Sequence, residues 1–175
     1  HHRGAQGWRE NSQYRTQTGS ISMTYNFSSK WQLVGEYTHM NQISQQAGGL
    51  SDVDFDFNPS KSSRERNWFT TPWNTGSLQL HYIPSSSTRF TLKTFGIAAQ
   101  RSTVGFNKAI NIADTINTLL GTYNPRQVDT DQYQNYGIEL RGIHNYKFLG
   151  QRSACSAGLR AYQGQTIRHQ KGIGT

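Results

Sequence analysis

The groups in this chain best suited to chemistry are its cations. Arg9, Arg15, Lys93, Arg101, Arg141, Arg160 and Arg168 lie in or at the ends of segments whose side chains alternate in character. With 18 Lys+Arg against 10 Asp+Glu, the formal net charge is +8. If part of this charge lines an enclosed space, the chain presents a positive vestibule that attracts anions. Nucleic acid, anionic lipid headgroups and acidic ligands all fit the charge alone.

Other chemistry lacks its minimum parts. The histidines are scattered as His1, His2, His39, His81, His144 and His169, and no HExxH, GxSxG or GxxxxGK[ST] occurs. Metalloprotease, serine hydrolase and nucleotide-binding readings therefore fail, and no enzyme and no cofactor are expected. Asp52, Asp54 and Asp56 have the spacing that opens an EF-hand loop. Phe57 stands where that loop needs glycine, and Ser63 where it needs a bidentate glutamate. No metal site is expected, and the aspartates read as a solvated acidic loop or as partners of Lys61, Arg64 and Arg66. Gly48-Gly49 lacks the strand-to-helix context of a phosphate cradle. Cys155 is the one cysteine, so no intrachain disulfide or multi-cysteine metal cluster can form.

The elements that must position these residues follow a period of two. Strands are expected at about 14–27 and 31–43, at 73–83 and 88–101, and at 131–147 and 152–168, with a partial one between His1 and Arg9. The turns fall at Asn26 to Lys30, at Pro84 to Ser87, where proline is expected to stop the strand, and at Phe148 to Gln151. Two long connections, 44–72 and 102–130, alternate with these short turns. Within the second, Ile112, Ala113, Ile116, Leu119 and Leu120 approach helical spacing, and Gly121 is a plausible stop. The spacing predicts a helix over 109–120, the only one longer than a turn.

Each strand has two unlike faces. Ile21, Met23, Tyr25 and Phe27 oppose Ser20, Ser22 and Thr24; Ile138 and Leu140 oppose Glu139 and Arg141; Ala157, Leu159 and Ala161 oppose Ser156 and Arg160. Aromatic residues gather at the short turns: Tyr25, Phe27 and Trp31; Tyr82 and Phe90; Tyr146 and Phe148. Only 33% of the chain is hydrophobic and no apolar run reaches the 18 or so residues of a membrane helix. A β-barrel wall still crosses a bilayer with such a composition, because half of each strand faces water. Strand length favours it: soluble strands average about 5–6 residues, while membrane strands need about 9–11. The fold class expected is all-β, an antiparallel up-and-down transmembrane β-barrel segment with tight turns at one end and long external loops at the other.

Two stretches add a resemblance. Gly7-Trp8-Arg9-Glu10-Asn11-Ser12 resembles a segment common in the barrels of TonB-dependent outer-membrane receptors. The first long loop is similar to an external loop of the ferric dicitrate receptors within that family. The residues that carry this are Ala47-Gly48-Gly49-Leu50-Ser51-Asp52, Asp56-Phe57-Asn58-Pro59 and Ser63-Arg64-Glu65-Arg66-Asn67-Trp68-Phe69. The resemblance covers residues 7 to about 101. It implies that residues 1–175 are a partial barrel domain, about six strands of a wall of about 22, with the plug domain and the TonB-engaging box absent from this stretch. It also implies the bacterial outer membrane, its lipid and TonB as surroundings, and a ferric chelate resembling ferric citrate as ligand.

On that reading Arg64 and Arg66 are the ligand candidates, since guanidinium groups bind carboxylates bidentately. Trp68 would fix the loop or cover the site, and Arg101 would face the same anion. The competing reading is that Arg64 and Arg66 pair with Asp52 to Asp56. Two other functions fit parts of this pattern. Nucleic-acid binding needs basic residues beside stacking aromatics, whereas here the basic residues lie opposite most aromatics, so no nucleic acid is expected. A soluble secreted carbohydrate-binding β module would use Trp8, Trp68 and Trp73 as sugar platforms.

Overall fold

The computed structural model describes residues 1–112 and 114–174. Its strands are β1 (His2–Ala5), β2 (Tyr14–Asn26), β3 (Trp31–Gln45), β4 (Trp68–Ser85), β5 (Thr88–Gly105), β6 (Ile116–Asn117), β7 (Thr122–Tyr123), β8 (Arg126–Phe148) and β9 (Gln151–Gly174). One short helix, α1 (Asp52–Phe57), lies between β3 and β4. Strands β1-β2-β3-β4-β5-β8-β9 form one antiparallel meander, and β6-β7 form a separate small hairpin. The three tight turns therefore share one end of the sheet. The connections 46–67 and 106–125 share the other, as the alternation of short and long connections implies.

Cross-strand register turns the sequence pattern into rows. Tyr25, Leu33, Leu80, Leu92, Leu140 and Leu159 are successive partners across six strands. The next row towards the loops is Met23, Gly35, Leu78, Thr94, Ile138 and Ala161, on the same face. Beyond it come Ile21, Tyr37, Gly76, Gly96, Tyr136 and Gln163, and the Tyr37 hydroxyl donates to Asn74 Oδ1 at 2.7 Å in the polar row above. At the turn end Trp31 stacks on Tyr82 with ring centres 4.4 Å apart, and Tyr82 on Phe90 at 6.4 Å. The opposite face carries Glu36, Lys93, Glu139, Arg141 and Arg160.

The rows also report strand tilt. The turn lies about four residues past the leucine row in β2-β3, about six in β4-β5 and between about nine and ten in β8-β9. At about 3.3 Å per residue and 4.8 Å per strand, level turns require strands inclined by about 40–45°. Barrel closure demands a tilt of this size.

The structure departs from the sequence pattern in three places. The strands run further into both long connections than the sequence pattern marks, because their polar ends still complete the ladder. Pro84 does not stop β4; the strand reaches Ser85 through a register shift between Tyr82 and Ser85, an irregularity that accommodates a residue with no amide donor. The helix expected over 109–120 is not formed by the described residues there; Ala113 lies outside them. Asn117 Oδ1 instead accepts from the amides of Leu119 and Leu120 at 3.0 and 3.2 Å, and this local capture favours a turn over a helix. The helix is α1, whose N-cap Ser51 accepts from Asp54 N at 3.2 Å, with Asp52 and Asp54 in its first turn.

Apolar burial is slight: Ala47 and Phe106 are the buried hydrophobic residues among those described. Sheet packing instead relies on close fits such as Gly137, where an added Cβ would meet Phe95 Cζ at 2.6 Å and Ala161 O at 2.9 Å. At Gly96 the nearest atom would be Asn135 O at 3.5 Å, an ordinary contact. Gly137→Ala in the full-length protein is expected to cost about 1–3 kcal/mol through overpacking, and Gly96→Ala less than about 0.5 kcal/mol. Urea unfolding of the two variants checks the contrast.

Candidate functional site

The loop end holds most of the buried residues, and most of those are polar. Arg64, Asn67, Phe106, Asp114 and Arg126 are all buried there. Two guanidinium groups lie over the Phe106 ring, Arg64 at 5.2 Å and Arg126 at 5.4 Å from its centre. Arg126 Nη2 donates to the Asp114 carboxylate at 2.6 Å, and both side chains are out of contact with solvent. Such a pair is tolerated because the charges cancel where water cannot reach them.

Arg64 ties the two long loops together. Its Nη1 donates to Ile112 O at 2.8 Å, and its Nη2 to Lys108 O at 2.9 Å and Ala109 O at 3.1 Å. Nη1 also reaches Ser63 O and Ser63 Oγ. Gly48, at φ +73°, leaves room for this side chain, since a Cβ there would meet Arg64 Cγ at 2.5 Å. Buried and committed to carbonyls, Arg64 acts as a strap and presents no free donor face to a ligand. Neither does it pair with the loop aspartates. Asp54 is taken by Lys61 at 2.8 Å.

The β1-β2 connection joins the same body. Arg9 donates through Nη1 to Gly48 O at 2.7 Å and through Nη2 to Lys61 O at 2.9 Å, while Ser62 N donates to Glu10 Oε2 at 3.1 Å. The segment that carried the first resemblance is thus a clasp on the loop that carried the second.

The remaining candidates separate. Arg66 is half-buried with its guanidinium 4.4 Å from the Tyr123 ring centre, and it has no ion pair among the described residues. Arg101 lies on the polar face, where its Nη2 donates to the carboxylate of the fully buried Asp131, and its side chain stays 44% exposed. Of the candidate arginines, Arg101 and Arg66 keep guanidinium groups that a solute at the loop end can meet, and the exposed Arg168 lies in the same row, on the far side of Asp131 from Arg101. Trp68 shares its face with Leu78, Leu80 and Tyr82 by register, beside Ile43 and Arg15. It is on the opposite face from Arg101, so it cannot cover a ligand held there. Trp73 takes the polar face, so Trp68 and Trp73 do not form one sugar platform.

Asp114, Arg126 and Asp131 had no distinguishing sequence signal. A long loop containing Phe106 and several isoleucines does point to self-packing, but not to which charges pair.

No protein-family model matches the chain, and no curated protein matches it in sequence. Its fold is similar to that in the crystal structure of the ferric citrate transporter FecA in the unliganded form, with a TM-score of 0.78 and 19% sequence identity over 92% of this chain. The match covers 22% of the FecA chain, so this chain spans about a fifth of that protein's length. The likeness shows the fold: an up-and-down β-barrel wall segment, not closed on itself.

Asp114→Asn would leave Arg126 buried without its countercharge, a loss of about 3–5 kcal/mol. Amide exchange should accelerate in 46–67 and 106–125 while β4 and β5 stay protected; uniform protection in both regions would contradict the loop core. A second expectation concerns pH. Hydrogen bonds from Lys61 and then Ser51 hold the Asp54 carboxyl below its ordinary 3.8, and Asp54 raises Lys61 above 10.5. The contribution of Asp54 is therefore present above 3.8 and fades as pH falls through the lowered value; that of Lys61 is present below 10.5 and fades as pH rises through the raised value. An NMR titration should place the Asp54 midpoint below 3.8 and move it upward in Lys61→Gln.

Proposed function

We propose that the chain forms wall and external loops of a TonB-dependent outer-membrane receptor that takes up a ferric chelate resembling ferric citrate. The observation that carries this reading is the two-faced sheet. Its apolar rows, edged by aromatic side chains at the turn end, suit a bilayer, and its polar face carries charges that a lipid-facing wall would not tolerate. The fold likeness to FecA supports the transporter class, and the loop motifs support the chelate.

In this function the protein makes and breaks no bond. Arg101 and Arg66 offer charge to an anionic chelate at the loop end, and Asp131 orients Arg101. Arg64 contributes indirectly, by keeping the loops together. TonB would act through a part of the receptor outside this chain. A soluble carbohydrate-binding module is the weaker reading, since Trp68 and Trp73 lie on opposite faces and large apolar side chains such as Ile21 and Leu159 stand open on one side of the sheet.

The test is uptake of radioactive ferric citrate by iron-starved cells that lack their own ferric citrate receptor and express the full-length protein. TonB-dependent accumulation is expected. Arg101→Gln should weaken chelate binding about tenfold, the worth of one charge-assisted hydrogen bond, with the loops still protected from exchange. No accumulation, with protein present in the outer membrane, would reject the proposal.

A further inference from the structure

On the face that carries the apolar rows, the sheet changes composition towards the loops. The row next to Tyr37 and Tyr136 is Gly19, His39, Asn74, Ala98, Gln134 and Gln165. The row beyond it has Gln17, Asn41 and Pro72 on β2 to β4, then Gln100, Gln132 and Ile167 on β5, β8 and β9. Seven of these twelve residues are amides and none carries a formal charge, so the belt is polar and neutral. Gln17, Gln132, Gln134 and Gln165 are exposed. On the opposite face, level with the second row, stand Arg101, Asp131 and Arg168. Charge is therefore excluded from one side of the sheet only.

Asn74 joins the belt to the apolar rows, its Oδ1 lying 2.7 Å from the Tyr37 hydroxyl and 2.9 Å from His39 Nδ1. From the Tyr37 row to that of Arg15 and Ile43 is about 20 Å along each strand, or about 14–15 Å of axial height at the inclination of the strands. A phospholipid headgroup layer is only about 5–8 Å deep on each side of a bilayer. The belt outreaches it. Hydrocarbon is excluded as a neighbour, because unpaired amides are costly there. Each amide offers two donors and an acceptor on one planar group, which complements the neighbouring hydroxyls of a sugar. The belt faces outward across β2 to β9, so neither closure of the barrel nor anything inside it covers these side chains.

We propose that this belt docks the neutral sugars of a glycolipid headgroup in the leaflet at the loop end. The inference rests on the barrel reading for the side that meets lipid. It is independent of any solute bound inside.

The full-length protein is placed in phosphatidylethanolamine vesicles holding one of two probes in equal amount. One is lipopolysaccharide with a complete core of neutral hexoses; the other is lipid A, which keeps the phosphates and acyl chains without the core. Glycolipid retained per protein after extraction into detergent is measured by mass spectrometry. The parent should retain the hexose-bearing probe at least about threefold better than lipid A, and Gln100→Ala/Gln132→Ala/Gln134→Ala should bring that ratio close to one. Gln134→Ala alone, which leaves the sheet intact, should lower it in part. Gln151→Ala, in the β8–β9 turn at the other leaflet, should leave it unchanged. Equal retention of the two probes by the parent would overturn the belt, since phosphates and acyl chains would then account for all contact; a triple variant that keeps the preference would do the same. In a Cys155→Ser background, Gln134→Cys that links copies by disulfides equally in both vesicles would assign the belt to contact between copies and also overturn it. Ferric citrate uptake is read separately, so a protein that transports the chelate without preferring the hexose core loses the belt and keeps its proposed function. Failure to insert in either vesicle would remove the barrel placement and the belt with it.

Discussion

A single register carried through the middle of the sheet governs the rest of this structure. From β2 to β9 the same row runs Tyr25, Leu33, Leu80, Leu92, Leu140 and Leu159. A slip of one residue in any ladder would send a leucine to the charged side and Glu139 or Lys93 to the apolar side. The irregularities that exist lie outside these rows, between Tyr82 and Ser85 near a turn and between Val128 and Thr130 near the loops. Bulges are affordable at the ends, where no apolar row is left to misalign.

The loop end obeys a different rule. Its interior is built on arginines, carbonyls and one aromatic ring, and the Arg126–Asp114 pair is buried more completely than any apolar side chain among the described residues. A connection of 20 or so residues with little regular structure exposes many carbonyl groups, and a buried guanidinium with five donors can satisfy several of them at once. Arg64 does this across two loops. An aliphatic side chain in its place would fill the space but leave those carbonyls without partners.

How much of this was legible in the sequence depends on the range of the interaction. The alternation of Ile21, Met23 and Tyr25 with Ser20, Ser22 and Thr24 is a local property, so the strands, their faces and the end at which each turn lies could be read directly. The Ser51 cap on α1 was equally local, yet the run of Asp52, Asp54 and Asp56 drew attention to metal spacing instead of to a helix start. The role of Arg64 was out of reach, since its partners lie 44 to 48 residues away in another loop. The face of Trp68 was obscured because β4 begins earlier than its apolar pattern does, at a position that reads as loop.

The inclination of the strands gives the charged face a vertical order that a flat register diagram hides. Residues that are neighbours in one row lie on successive strands, and with an inclination of about 40–45° each strand spacing of about 4.8 Å displaces them by about 3 Å along the barrel axis. Lys93, Glu139 and Arg160 are thus steps of a shallow spiral staircase rather than a ring at one depth. Charges that are level in the register thus act at different depths, with the Glu139 carboxylate between the two cations.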